Sequence, residues 1–225
     1  MNIPISRRLL ACCDFVHPGD RVADIGCDHG YLSIYLLKNG IAHSVIAADI
    51  NEQPLQSAVI NAQRFGVRDQ IAFFLSDGVQ SIPRNFDTLV CAGMGGDTMV
   101  SILSAAPWLK SDCYRLILQC QSKTPMLRKY LADNGFAIRR EVVLRDGRFL
   151  YTVMEVVFCP EESKLTIGQQ FFPPALLKNI TPETREYYER LIFSLDRAIR
   201  GRGEKADPEM IAAQNELSQL KEDLL

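Results

Sequence analysis

The chain has 225 residues, 47% of them hydrophobic, enough for one full core and an appendage. A formal net charge of −2 argues against indiscriminate binding to polyanions, because long-range attraction to them scales with net positive charge. Seven cysteines, an odd number with no Cys-x-x-Cys spacing, read as reduced thiols rather than a disulfide frame or a zinc site.

The amino terminus, MNIPISRRLLACCDF, lacks the apolar core of a signal peptide, and no run reaches transmembrane length. The expectation is a soluble, cytoplasmic protein with no membrane and no metal partner. From residue 20 to about 135, short apolar runs alternate with helical periodicity, the rhythm of a parallel sheet covered by helices on both faces. The pattern predicts strands over 21–25, 44–49, 70–75, 86–92 and 114–119, and helices over 30–39, 52–65, 97–105 and 124–134. Gly40, Gly66 and Gly135 stand just past three of these helices, as closing residues do. The stretch GFAIRREVVLRDGRFLYTVMEVVFC then gives two extended runs about Asp146-Gly147, a hairpin signal, so the sheet is expected to end in an antiparallel pair.

Residues 160–181 hold three prolines and no steady period, which marks a connector. Beyond it, PETREYYERLIFSLDRAIR carries Tyr188, Leu191, Ile192, Leu195, Ala198 and Ile199 on one stripe. A second stripe runs through Met210, Ala213, Leu217, Leu220 and Leu224. Two such stripes pair as an antiparallel coiled hairpin, with GRGEKAD as its tip. The expected organisation is α/β over 1–160, with a connector and helical hairpin over 161–225.

Residues 1–160 carry 16 basic and 15 acidic side chains, and 161–225 carry 9 and 12, so the tail is not basic overall. Arg197, Arg200, Arg202 and Lys205 nevertheless crowd the tip, and Arg139, Arg140, Arg145 and Arg148 crowd the sheet hairpin. Solvated helix ends and strand edges account for such clusters as well as phosphate contacts do.

The chemistry starts at VADIGCDHGYLSI, residues 22–34: an apolar run, Asp24, Gly26, then Gly30 before a helical pattern. A dinucleotide loop would read Gly-x-Gly-x-x-Gly, but the middle glycine position is Asp28. A carboxylate there repels a pyrophosphate and competes for the helix amides that attract anions. S-adenosylmethionine, with a sulfonium, an ammonium and no phosphate, suits the loop better. Asp49 closes a second strand about 25 residues after Asp24, placed to accept from both hydroxyls of a ribose. Asn51 assists it or caps the next helix. Asp77-Gly78 ends the third strand, where a carboxylate takes the amino hydrogens of an adenine. The fourth leads into LVCAGMGGDTM, whose three glycines in four residues are expected to bare backbone toward a flat base. Neither the Asn/Asp-Pro-Pro-aromatic box of exocyclic adenine methylation nor the Pro-Cys of cytosine-carbon methylation is present; a ring nitrogen with its own lone pair needs neither.

The segments DIGCDHGYL, ADIN, DG, AGMGG and LILQCQ with LRKYLADNGFAI resemble the bacterial tRNA (adenine-22 N1)-methyltransferases, the TrmK family, over nearly the whole chain. The family pattern has proline where this chain has Cys120. The resemblance implies a class I methyltransferase with a Rossmann-like sheet, S-adenosylmethionine as cofactor and tRNA as substrate. It places Asp24, Gly26, Asp28, Asp49, Asn51, Asp77, Gly78, Gly93 and Met94 at the cofactor. Asp28, His29, Gly95 and Gly96 fall near the reacting centre, and Arg145, Arg148, Arg197, Arg200, Arg202 and Lys205 are the expected RNA contacts. A monomer or weak homodimer is expected. Other expectations to be weighed are a methyltransferase acting on another RNA or a small molecule, and a non-catalytic RNA-binding module. Because the sulfonium loses its charge in the transition state, Asp28 is expected to face the methionine ammonium or the amino edge of the target adenine, not the sulfur.

Overall fold

A computed structural model describes residues 2–220, apart from the side chain of Glu204; Leu224, the last position of the predicted tail stripe, lies outside the described residues. Seven strands form one sheet: β1 (Arg21–Ile25), β2 (Ser44–Asp49), β3 (Ile71–Leu75), β4 (Thr88–Gly95), β5 (Arg115–Ser122), β6 (Phe136–Asp146) and β7 (Phe149–Phe158). Their spatial order is β3-β2-β1-β4-β5-β7-β6, with β1 to β5 parallel and β7 antiparallel to both β5 and β6. The chain leaves β1 toward β2 and β3 on one side and returns to β4 on the other. The crevice outside the carboxyl ends of β1 and β4 is therefore the switch point where open α/β sheets bind ligands.

Helices α1 (Arg7–Cys13), α2 (Tyr31–Lys38) and α3 (Glu52–Arg64) cover one face, where Cys12, Leu32, Ile34 and Ala58 pack on Val22, Val45 and Val90. On the other, α4 (Gly96–Ser104) and α5 (Thr124–Asp133) lay Met99, Leu103, Leu127 and Leu131 on Ile25, Leu89 and Leu116. Burial on both faces explains why the central strands read as continuous apolar runs rather than alternating ones.

Four features depart from the expected pattern. The seven-residue α1 was not expected, since the apolar residues of RRLLACC come in adjacent pairs rather than as a stripe. Strand β4 runs on to Gly95, because Met94 pairs with Cys120 and Gly95 with Ser122 across register shifts. Cys120 is buried in β5 and donates its thiol hydrogen to the Ser122 carbonyl, so this segment is strand where the family pattern has proline. The connector holds two short helices, α6 (Ile167–Phe171) and α7 (Pro174–Leu177); Thr166 and Gln169 close a capping box on the first.

Helices α8 (Pro182–Arg202) and α9 (Pro208–Gln219) start at the caps Thr181 and Asp207 and lie antiparallel, with Tyr188 Oη donating to the Leu217 carbonyl at 2.8 Å. They do not stand apart from the sheet: Phe172, Leu176, Tyr188, Leu195 and Leu217 close over Val143 of β6. Arg128 of α5 and Glu141 of β6, both 0% exposed, meet at 2.6 Å. The same guanidinium donates to the carbonyls of Gln170 (3.1 Å) and Phe171 (2.6 Å), tying the connector to the sheet. Removing one partner of such a pair strands a buried charge, so Glu141→Ala is expected to cost about 3–5 kcal/mol of unfolding free energy in a denaturant titration. A loss within about 1 kcal/mol, as at an exposed pair, would show that the pair is not buried in solution. No helix among the described residues is long and apolar enough to cross a membrane.

Candidate active site

The turn after β1 is pinned from β2: the amides of Gly26 and Cys27 both donate to the Ala48 carbonyl, at 2.8 and 3.0 Å. Gly26 has φ 73°, a backbone that favours glycine, and the flexible end of the Met94 side chain lies where a Cβ would stand. Asp28 also lies in the left-handed region, φ 48°. The position keeps the backbone a glycine would take and fills it with one of the few side chains that tolerate it. Its amide donates to Asp49 Oδ2 (3.1 Å), while Asp49 Oδ1 accepts from the Asn51 amide (2.9 Å). One buried carboxylate thus binds two loops together. Asn51 takes the N-cap position of α3, but its side chain makes no capping bond.

Asp24 is buried and accepts from the Ser33 hydroxyl at 2.6 Å. Burial pushes its carboxyl up to about 6, against the pull of that hydrogen bond. Asp28, by contrast, is 70% exposed, with His29 Nε2 at 3.7 Å from its carboxylate. The His29 ring lies 5.9 Å from that of Tyr31 between centroids, tilted by 35°, and the His29 carbonyl accepts from Asn61.

Two chambers open along the strand ends. The larger, about 320 Å³, is lined by Arg8, Asp24, Gly26, Asp28, His29 and Gly93 among others. The smaller, about 120 Å³, is lined by Asp49, Ile50, Ser76, Asp77, Gly78 and Thr98 among others. Gly26 and Met94 belong to both, and the Met94 side chain lies across the junction over Gly26. Ile50 is 61% exposed at the mouth of the smaller chamber. A hollow of about 350 Å³ between α1, β6 and the start of α8 carries none of the strand-end acids.

The glycine-rich stretch is used differently from its expected role. The Cβ direction of Gly93 is filled by the Arg8 guanidinium, that of Gly95 by Ser122 Oγ, and that of Gly96 by the Lys123 carbonyl. Gly93 and Met94 line the larger chamber, whereas Gly95 and Gly96 line neither and serve the close approach of the turn between β5 and α5. Sequence reasoning missed Arg8 and Gln119. The buried Gln119 accepts at one oxygen from both the Gly93 amide (3.0 Å) and Arg8 Nη1 (3.1 Å). A glutamine inside the apolar run LILQC was a signal; Arg8, 111 residues away, had none. Cys91, beneath this stretch, is buried, and burial pushes its thiol up, so it is no nucleophile. Among the described residues no group of three or more His, Cys, Asp and Glu side chains could hold a metal.

The basic candidates separate. Arg145 is paired with Glu186 of α8, Arg139 with Glu162, and Arg140 lies over the Phe15 ring at 4.2 Å. Arg148 is exposed, 4.9 Å from the Phe149 ring centre. Arg197, Arg200, Arg202 and Lys205 are exposed at the end of α8 and the turn after it.

A family model for a methyltransferase domain matches residues 5–154, the segment that carries every residue lining the two chambers. The chain is 33% identical over 159 residues to MG248 of Mycoplasma genitalium, named as a presumptive tRNA methyltransferase, covering 69% of this chain and 70% of that one. It is 31% identical over 154 residues to the tRNA (adenine(22)-N(1))-methyltransferase of Bacillus subtilis, covering 68% and 65%. The fold of Sp1610 from Streptococcus pneumoniae, a presumptive tRNA (m1A22) methyltransferase, matches over 98% of this chain and 100% of that one, with TM-score 0.85 and 30% identity. This chain belongs to the tRNA (adenine-22 N1)-methyltransferase family. The likeness to Sp1610 extends through α8 and α9, so the docked tail of this methyltransferase is part of the shared architecture. Sp1610 has also been crystallised with S-adenosyl-L-methionine; that structure matches with TM-score 0.84 and 29% identity, over 96% of this chain and 99% of that one.

Proposed function

We propose that the protein transfers the methyl group of S-adenosylmethionine to N1 of adenine 22 in tRNA. The observation that carries this reading is the pair of chambers joined at Gly26 and Met94, with Asp24 and Asp28 lining one and Asp49 and Asp77 the other. A carboxylate has about four lone-pair sites, and Asp49 uses two on backbone amides, which leaves one on each oxygen for a ribose diol. Asp77, which lines the smaller chamber together with Ile50, is the acceptor for the adenine amino group on this reading. Arg8 has spare donors for the methionine carboxylate, and Asp24 offers negative charge to the ammonium. Met94, unbranched and flexible, swings aside to join the chambers.

Bound cofactor supplies an electrophilic methyl on a sulfonium; the protein supplies alignment and charge. Gly93 and Met94 form the floor on which the target base approaches in line, and such positioning supplies much of the rate. Positive charge then grows on the adenine, including its exocyclic amino group. The exposed Asp28 carboxylate accepts from that group, and its attraction strengthens as the reaction proceeds. N1 lies on the pairing edge, so the adenine must be unpaired or swung out. The exposed cations Arg197, Arg200, Arg202 and Lys205 hold phosphates of the folded RNA.

Incubation with methyl-labelled cofactor and tRNA, followed by nucleoside analysis, tests the reaction. Label in N1-methyladenosine supports it; label in another nucleoside, or none, removes it.

Asp24 gives cofactor binding a pH signature. With its carboxyl raised to about 6, it is neutral below that pH and charged above it. A raised carboxyl favours the folded cofactor-free protein most below the ordinary range near 4, and that contribution is lost as pH rises through about 6. Attraction for an ammonium runs the other way and grows through the same window. Thermal stabilisation by S-adenosylmethionine is therefore expected to be larger at about pH 7.5 than at about pH 5, with Asp24→Asn flattening the difference. Equal stabilisation at both values in the unsubstituted protein would remove Asp24 from the ammonium.

A further inference from the structure

We propose that the tip of the β6–β7 hairpin is a base-stacking subsite: a nucleotide adjoining the target adenine lies on the Phe149 ring, with its phosphate against Arg148. The proposal rests on the tRNA reading and adds to it a place for a second base.

Topology puts the tip at the reacting edge. Strand β7 runs antiparallel to β5, with Met154 opposite Leu118, so the chain before Met154 runs toward the carboxyl end of β5, and continuing that register puts Leu150 level with Ser122 and Phe149 just beyond it. That end is where Ser122 pairs with Gly95 of the glycine-rich stretch. The hairpin is also fastened to the cleft wall. Asp146 accepts from the Arg8 amide at 3.5 Å and lies 3.9 Å from the Arg8 guanidinium, which lines the larger chamber.

The chemistry at the tip suits a nucleotide. Phe149, the first residue of β7 after the Gly147-Arg148 turn, leaves a large apolar ring 49% exposed. Tyr151, two residues on and so on the same strand face, lies 6.1 Å away between ring centres. Arg148 holds its guanidinium 4.9 Å from the Phe149 ring and has no carboxylate partner among the described residues, whereas Arg145 is committed to Glu186. An exposed ring flanked by an unpaired guanidinium offers what single-stranded nucleic acid needs, a π-face for the base and a cation for the phosphate. One ring is far less than the roughly 1,600 Å² that a stable protein interface buries, which disfavours a second copy of the chain as occupant. Extruding an adenine to expose N1 breaks its stacking on both neighbours. A platform beside the cleft offsets that loss and holds the opened strand.

The test is steady-state methylation of transcribed tRNA by the full chain. Phe149→Ala is expected to raise KM for tRNA about tenfold, with kcat and cofactor affinity within about twofold, and Phe149→Trp to restore KM. With an abasic nucleotide beside the target adenine, on whichever side the platform serves, the difference between Phe149→Ala and the unsubstituted protein should vanish. Unchanged KM in Phe149→Ala would overturn the proposal, as would a penalty that survives with the abasic nucleotide placed on each side in turn. A concentration-dependent oligomer that Phe149→Ala dissolves, with KM unmoved, would assign the ring to contact between copies and overturn it too. No methylation of tRNA by the unsubstituted protein would instead bring down the tRNA reading, and the subsite with it.

Discussion

Asp49→Ala is expected to weaken S-adenosylmethionine binding at least a hundredfold, measured by calorimetric titration. Each hydrogen bond to a charged group is worth about 1.5–3 kcal/mol, and a ribose diol makes two of them to this carboxylate. The substitution also frees the amides of Asp28 and Asn51, which hold the first and second loops against one another. Preorganisation is lost with the contacts. Asp49→Asn keeps the shape and one acceptor oxygen, so it should fall between. Thermal unfolding measured alongside separates a local loss from a general one. An Asp49→Ala protein that stays folded and binds the cofactor as tightly as before would show that the smaller chamber does not hold the ribose.

The second large effect belongs to Asp28→Asn, expected to lower kcat about a hundredfold while leaving cofactor affinity nearly unchanged, in line with losses seen when a single charge-stabilising group is removed. Asparagine tolerates the left-handed backbone at φ 48° as aspartate does, so the exchange removes charge without disturbing the turn. Asp28→Gly should give the same kinetic result with the backbone relaxed. The reverse pattern, weakened cofactor binding with turnover preserved, would move Asp28 to the methionine ammonium. No effect on either would take it out of the site. His29 Nε2 lies 3.7 Å from this carboxylate.

The three acids were legible from where apolar runs stop: Asp49 closes β2, Asp24 stands one residue before the end of β1 and Asp77 two residues past β3, and parallel strands place all such ends on one edge. Asp28 was legible as an anomaly in a glycine pattern, and the structure explains it as a left-handed position occupied by a side chain. Arg8 was not, because its role exists only through a tertiary approach to Gln119 and Gly93 that no local period encodes. The glycine stretch misled for a related reason. Bare backbone reads the same whether a ligand or a neighbouring turn approaches it, and at Gly95 and Gly96 the neighbour is the turn at Ser122 and Lys123. Helices α6 and α7, at five and four residues, are too short to show a period, and nothing local marks Arg128 of α5 as the buried partner of Glu141 from β6. The tail illustrates the same limit. Its stripes foretold two paired helices, but not that the sheet hairpin would take up part of the same apolar surface.

The most direct measurement compares two transcripts of one tRNA, identical except for adenine or guanine at position 22, each incubated with the protein and methyl-labelled S-adenosylmethionine. One methyl group per adenine-bearing transcript, recovered as N1-methyladenosine, with none on its guanine counterpart, is the expected result. Equal labelling of both, or no labelling of either, would contradict it.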